Sequence, residues 1–174
     1  NEDIIMRCDA AEKEQEIIDL LYRKYGNKVF LLYIRLIQAS SNPSLLLKSI
    51  ETSELYEREN EDFWFDFDDA DVVTFTDEEK RLIQSVTSTA KYRETIRVAE
   101  ELNSDGKQLI IWCMFVDTIN KVKRDLYERG INAQVIYGAT PQEERDQIIQ
   151  LFKERKIDVL ITNPHTLAES VSLH

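Results

Sequence analysis

Three short stretches at the ends of apolar runs each read as a loop leading into a helix start. They are Phe115-Val116-Asp117-Thr118, Gly138-Ala139-Thr140 and Thr162-Asn163-Pro164-His165. Hydroxyls, a glycine and the free N–H groups of a helix start suit a phosphate or another oxyanion. Each stretch taken alone also reads as ordinary helix capping. Other chemistries are poorly supplied. Two cysteines, Cys8 and Cys113, and two histidines, His165 and His174, are too few for a disulfide framework or a structural zinc site. The four glycines, at 26, 106, 130 and 138, allow neither a G-x-x-x-x-G-K-[ST] phosphate loop nor a G-x-G-x-x-G fingerprint. No serine, histidine and acid set with elbow glycines is present, and no carboxylate pair stands out. His165 reads as a loop residue, and Trp112 and Cys113 as core.

The elements that must position these stretches are legible from periodicity. Leu109 to Phe115 is a continuous apolar run, as in a buried parallel strand. Thr118 to Arg129 reads as a helix closed at Gly130, Ala133 to Tyr137 as a second strand, and Ile157 to Ile161 as a third. Between the last two, Thr140, Pro141 and Glu143 have the spacing of cap, first turn and capping partner, with helix to about Arg155. Strand–helix–strand–helix–strand with short loops predicts a right-handed parallel α/β unit, whose ligands sit at the C-terminal strand ends. Upstream, residues 10–25 and Val29 to Ala39 read as helices, the second buried, and Pro43 starts a short helix towards Ile50. Thr76 with Glu79 predicts a capped helix to about Ser88, and Lys91 to Leu102 a further one stopped by Ser104-Asp105-Gly106. The fold class is α/β: a partial parallel sheet flanked by helices, preceded by a helical segment. The segments expected are 1–50 (helical), 51–80 (acidic insert) and 81–174 (sheet domain).

The 174 residues carry a net charge of −11, and residues 51–80 alone hold 13 acids and 2 bases. The rest is balanced, so one segment sets the total and the acidity does not argue against nucleic acid. That segment includes Phe63-Trp64-Phe65-Asp66-Phe67, which reads as a surface loop or as a docking site for a basic partner. Lys121, Lys123, Arg124 and Arg129 read as a solvated helix face. No apolar run reaches the roughly 18 residues of a membrane helix. Free thiols and no secretory leader predict an intracellular, cytoplasmic setting. A first residue other than Met and only three strands predict a piece of a longer chain.

Read together, these pieces resemble a known family in order. Thr89-Ala90-Lys91 resembles the Ser-Gly-Lys-Leu start of the second RecA-like lobe in Snf-type (switch/sucrose-nonfermenting) DNA translocases of helicase superfamily two. Leu109 to Phe115 with Asp117-Thr118 resembles its motif IV. Tyr137 to Arg145, with Ile149 and Phe152, resembles the segment that follows. Asp158 to His174 resembles motif V in a bacterial and phage form, and Leu32 to Pro43 is similar to the segment preceding this lobe. The resemblance implies a RecA-like lobe, with ATP and Mg2+ as cofactors of the full-length parent, and duplex DNA and a first RecA-like lobe as partners. It implies DNA-backbone contacts at Thr118, Gly138, Thr140, Arg145 and Thr162, and nucleotide or interlobe contacts at Glu169 and Ser170. It implies no catalytic and no metal residue here, since the phosphate-binding lysine, the magnesium acids and the arginine finger belong before Asn1 or after His174. Ala168 and Ser170 stand where that family has glycine, and Ser172 where asparagine is common.

Overall fold

The computed structural model describes residues 3–50 and 73–164. They fall into two compact units. The first is helical and takes in residues up to 50 and from 73 to 94; the second begins at Thr95.

In the helical unit, α1 (Glu12–Tyr25) buries Ile17, Leu20, Leu21 and Tyr25, the stripe its periodicity predicts. Helix α2 (Val29–Ser41) turns Leu31, Leu32, Arg35, Gln38 and Ala39 inward. Its other face is open, with Val29 76% and Tyr33 61% exposed, so α2 is not the fully buried helix its apolar sequence suggested. Pro43, which lacks a donor and has a preset φ, starts a single 3-10 stretch, Pro43–Leu47. Helix α3 (Asp77–Ser85) begins with the expected reciprocal cap. The Glu79 N–H donates to Thr76 Oγ1 at 3.2 Å, and the Thr76 N–H donates to Glu79 Oε2 at 2.8 Å. Ile83 of α3 joins the core of Leu20, Leu21, Tyr25 and Leu46, with Val73 and Phe75 packed against it. Burying one such Leu or Ile contributes about 1.5–3 kcal/mol.

Two cations staple this unit together. Arg35, 7% exposed, donates from Nη1 to Gln38 Oε1 (2.9 Å) and to the Leu45 carbonyl (3.1 Å), and from Nη2 to the Lys48 carbonyl (3.1 Å). Lys24 Nζ donates to the Thr74 carbonyl at 3.0 Å, pairs with Glu79 at 2.8 Å and lies 5.7 Å from the Phe75 ring centroid. Hydrogen bonds from Lys24 and from the Thr76 backbone hold the Glu79 carboxyl below its ordinary value of 4.5. Because the folded form prefers the charged carboxylate, this contribution is complete above pH 4.5 and is lost as pH falls through the lowered value. Glu79→Gln is therefore expected to be less stable than the parent chain at pH 6, with the gap closing under acid below pH 4.5; urea titrations at both pH values check it.

Helix α4 (Ala90–Ser104) starts in the helical unit and continues into the second. There follow β1 (Leu109–Trp112), α5 (Val116–Glu128), β2 (Ala133–Ile136), α6 (Gln142–Lys153) and β3 (Val159–Thr162). The three strands are parallel in the order β1-β3-β2. Central β3 is buried at all four positions, as an apolar strand covered on both faces must be. One face packs Ile136 and Leu160 against Ile148 of α6, with Ile110, Ile149 and Phe152 around them. Helix α5 contributes the buried Ile119, Val122 and Leu126 to the lobe. It ends as the sequence predicts: Gly130 takes φ 73°, and the Ile131 N–H reaches back to the Leu126 carbonyl at 3.0 Å. Arg155 does the same after α6 at φ 59°, a position more comfortable for glycine.

Candidate functional site

The sheet register brings the three candidate loops together. Trp112 and Ile136 both pair with Thr162, so all three strands end at one level of one sheet edge. The chain leaves that edge through residues 113–115, 137–141 and 163–164. Cross-links hold the loops. The Cys113 N–H donates to the Thr162 carbonyl at 2.8 Å, and Asn163 Nδ2 donates to the Met114 carbonyl at 3.0 Å, tying the β1 loop to the β3 loop. Asn163 is only 8% exposed. Its structural role was not legible, although an asparagine between a strand end and Pro164 is the available signal.

The 137–141 loop is closed on itself. The Thr140 N–H donates to the Tyr137 carbonyl (2.9 Å), and the Tyr137 N–H donates to Thr140 Oγ1 (3.1 Å). The expected capping box on α6 does not form: Pro141 occupies the cap, and Thr140 Oγ1 makes no cap bond. The physical reason is competition, since a hydroxyl satisfied by the preceding turn is not available to the helix. Arg145, on the first turns of α6, reaches back under the loop. Its Nε donates to the Thr140 carbonyl at 2.7 Å, and its Nη2 to the Gly138 carbonyl at 2.7 Å and the Tyr137 carbonyl at 3.4 Å.

Thr118, Thr140 and Thr162 are 5, 8 and 0% exposed. Their side chains are thus inside the lobe and not on its surface, where direct backbone contact would need them. Thr162 Oγ1 donates weakly to the Asn163 carbonyl at 3.4 Å. Gly138 is half-buried, and Ala139 beside it is exposed. Thr118, in the first turn of α5, has a buried hydroxyl without a hydrogen-bond partner. Such a group costs about 1–3 kcal/mol, so Thr118→Val, which keeps the shape, is expected to stabilise the lobe by about 1 kcal/mol. Thermal unfolding checks this, and a loss of stability would show that the hydroxyl is already satisfied. Glu169, Ser170 and His165 lie outside the described residues.

The electrostatics of this edge are mixed. Helices α5 and α6 present their starts to it, but Asp117 and Glu143 with Glu144 occupy those first turns. Lys121 lies further along α5, where burial pushes its ammonium below the usual lysine range and Asp125 opposes the shift. Among the described residues no group of three or more His, Cys, Asp or Glu is placed to hold a metal ion. No helix among them is long and apolar enough to cross a membrane.

Comparison with known proteins agrees with this architecture. Residues 90–173 match the helicase conserved C-terminal domain family. The chain is 30% identical over 92 residues to a putative mitochondrial ATP-dependent helicase, irc3, of Schizosaccharomyces pombe, covering 53% of this chain and 15% of that protein. It is 30% identical over 80 residues to a putative DEAD-box ATP-dependent RNA helicase of Arabidopsis thaliana, covering 46% and 15%. The match thus spans about 15% of the length of these curated relatives. The fold is shared with a Sulfolobus solfataricus SWI2/SNF2 ATPase C-terminal domain, at TM-score 0.59 and 17% identity, over 90% of this chain and 60% of that one. The C-terminal part of the Fun30 ATPase domain aligns at TM-score 0.55 and 11% identity, over 91% and 66%.

Proposed function

Starting from a chain that carries a helicase C-terminal domain on the RecA-like fold of SWI2/SNF2 C-terminal lobes, we propose that it belongs to an ATP-dependent, DNA-stimulated translocase and supplies part of its DNA-backbone track. The observation that carries this reading is the sheet register, which sets three loops side by side at one edge, next to the starts of α5 and α6. The backbone at half-buried Gly138 and exposed Ala139 is the contact point; the buried threonines and Arg145 give the loops their shape. This division of labour revises the direct contacts expected for Thr118, Thr140, Arg145 and Thr162, and keeps Gly138. Glu169 and Ser170 remain the proposed contacts to nucleotide or to the partner lobe. ATP would bind against a second RecA-like lobe, which also supplies the magnesium ligands. No catalytic step is assigned to the residues described here.

Balanced charge outside the acidic segment gives little counterion release, so this chain alone is expected to hold DNA weakly. Fluorescence anisotropy with a duplex oligonucleotide at low and moderate salt tests the track: weak, salt-sensitive binding that Gly138→Glu removes supports it. Binding that Gly138→Glu leaves unchanged contradicts it.

A further inference from the structure

The start of α4 is held by two other helices of the same unit. The Glu14 carboxylate of α1 accepts from two helix starts at once: Oε2 from the Ala11 N–H at 2.8 Å, and Oε1 from the Ala90 N–H at 2.8 Å. Thr89, 1% exposed, donates its hydroxyl to the Ser40 carbonyl of α2 at 2.7 Å and accepts from the Tyr92 N–H at 3.2 Å. Tyr92 is itself buried, at 5% exposure. The first N–H groups of a helix have no partner within it, and an ordinary cap satisfies them from the preceding residue. Here Thr89 does this for Tyr92, but Ala90 depends on a carboxylate 76 positions away in sequence. The hydroxyl that caps Tyr92 is likewise oriented by a carbonyl 49 positions away. A negative charge at a helix start is favourable, and this one serves α1 and α4 together.

We propose that Glu14 and the Ser40 carbonyl form a latch on the start of α4, so that residues 90–93 are helical only while α1 and α2 hold them. Helix α4 continues beyond Glu94 into the second unit. The latch therefore makes the first turn of the lobe's leading helix conditional on the folded helical unit. It rests on these hydrogen bonds and not on the proposed DNA track. Amide exchange on the whole 174-residue chain, read residue by residue by NMR, tests it. Glu14→Ala keeps a strong helix former in α1 and removes both acceptors. It is expected to speed exchange at Ala90 by about tenfold or more, as loss of a hydrogen bond to a charged group implies. Leu20, Leu21 and the amides of α5 should be unchanged. Thr89→Val, which leaves Glu14 intact, is expected to do the same at Tyr92 and serves if Glu14→Ala fails to fold. Unchanged exchange at Ala90 and Tyr92 would overturn the latch. A uniform rise through α1 and α5 would also overturn it, because it would show loss of global stability without a local opening.

Discussion

Arg35→Ala is expected to destabilise the chain by about 3 kcal/mol or more, from the loss of hydrogen bonds to a buried cation. Arg35 is buried among carbonyls and one amide oxygen, and joins α2 to the stretch from Leu45 to Lys48. Removing it strands two buried acceptors, Gln38 Oε1 and the Leu45 carbonyl, and frees the Lys48 carbonyl nearer the surface. The design also carries a cost of its own, because Arg35 Nε is buried without a hydrogen-bond partner. Both substitutions remove that orphan donor and the charge, but Arg35→Met should lose less than Arg35→Ala because it refills the volume that alanine leaves empty. Urea unfolding followed by circular dichroism measures both. In a chain of this size the alanine variant should melt about 6–12 °C lower. A loss below about 1 kcal/mol would mean that the guanidinium is solvated and does not staple the unit.

Arg145→Ala is expected to have the largest effect on function. The guanidinium fork spans the Thr140 and Gly138 carbonyls, and these set the shape of the exposed loop between β2 and α6. The expected result is a loss of about 2 kcal/mol in stability and a fall of about tenfold or more in DNA-stimulated turnover of the full-length polypeptide. Arg145→Lys separates two roles. A lysine offers a point charge and cannot span both carbonyls, so it should behave like alanine if Arg145 shapes the loop. If lysine retains most of the DNA response, Arg145 acts through its charge on the phosphate, and the positioning role is wrong.

The elements were more legible than the site. The period-3.6 stripe with Ile17, Leu20, Leu21 and Tyr25 is a local signal of burial and holds, and the strand expected over Ile157 to Ile161 forms as the buried Val159–Thr162. The run from Leu109 forms a strand only to Trp112, and Trp112, expected in the core, is 51% exposed. The Thr76–Glu79 cap is equally local and formed. The Thr140–Glu143 cap has the same spacing and did not form, because the Tyr137 N–H already occupies the Thr140 hydroxyl. Contacts such as Glu14 with Ala90 and Asn163 with the Met114 carbonyl join positions far apart in sequence. No periodicity encodes them, so they had to be seen. The order of motifs pointed to Thr118, Gly138, Thr140, Arg145 and Thr162, which the strand register sets near one sheet edge, but could not separate residues that shape a loop from residues it exposes. Burial makes that separation: Thr162 sits at 0% exposure, whereas Ala139 is exposed.

The proposal that this lobe is the DNA-tracking part of an ATP-driven motor stands or falls on DNA-stimulated turnover. Its most direct test is ATP hydrolysis by the full-length natural polypeptide with and without duplex DNA, using the 174-residue chain as control. The expected result is turnover that duplex DNA stimulates in the full-length protein, that Gly138→Glu abolishes, and that is absent from the control. A full-length protein whose turnover ignores DNA, or whose DNA response survives Gly138→Glu, would contradict it.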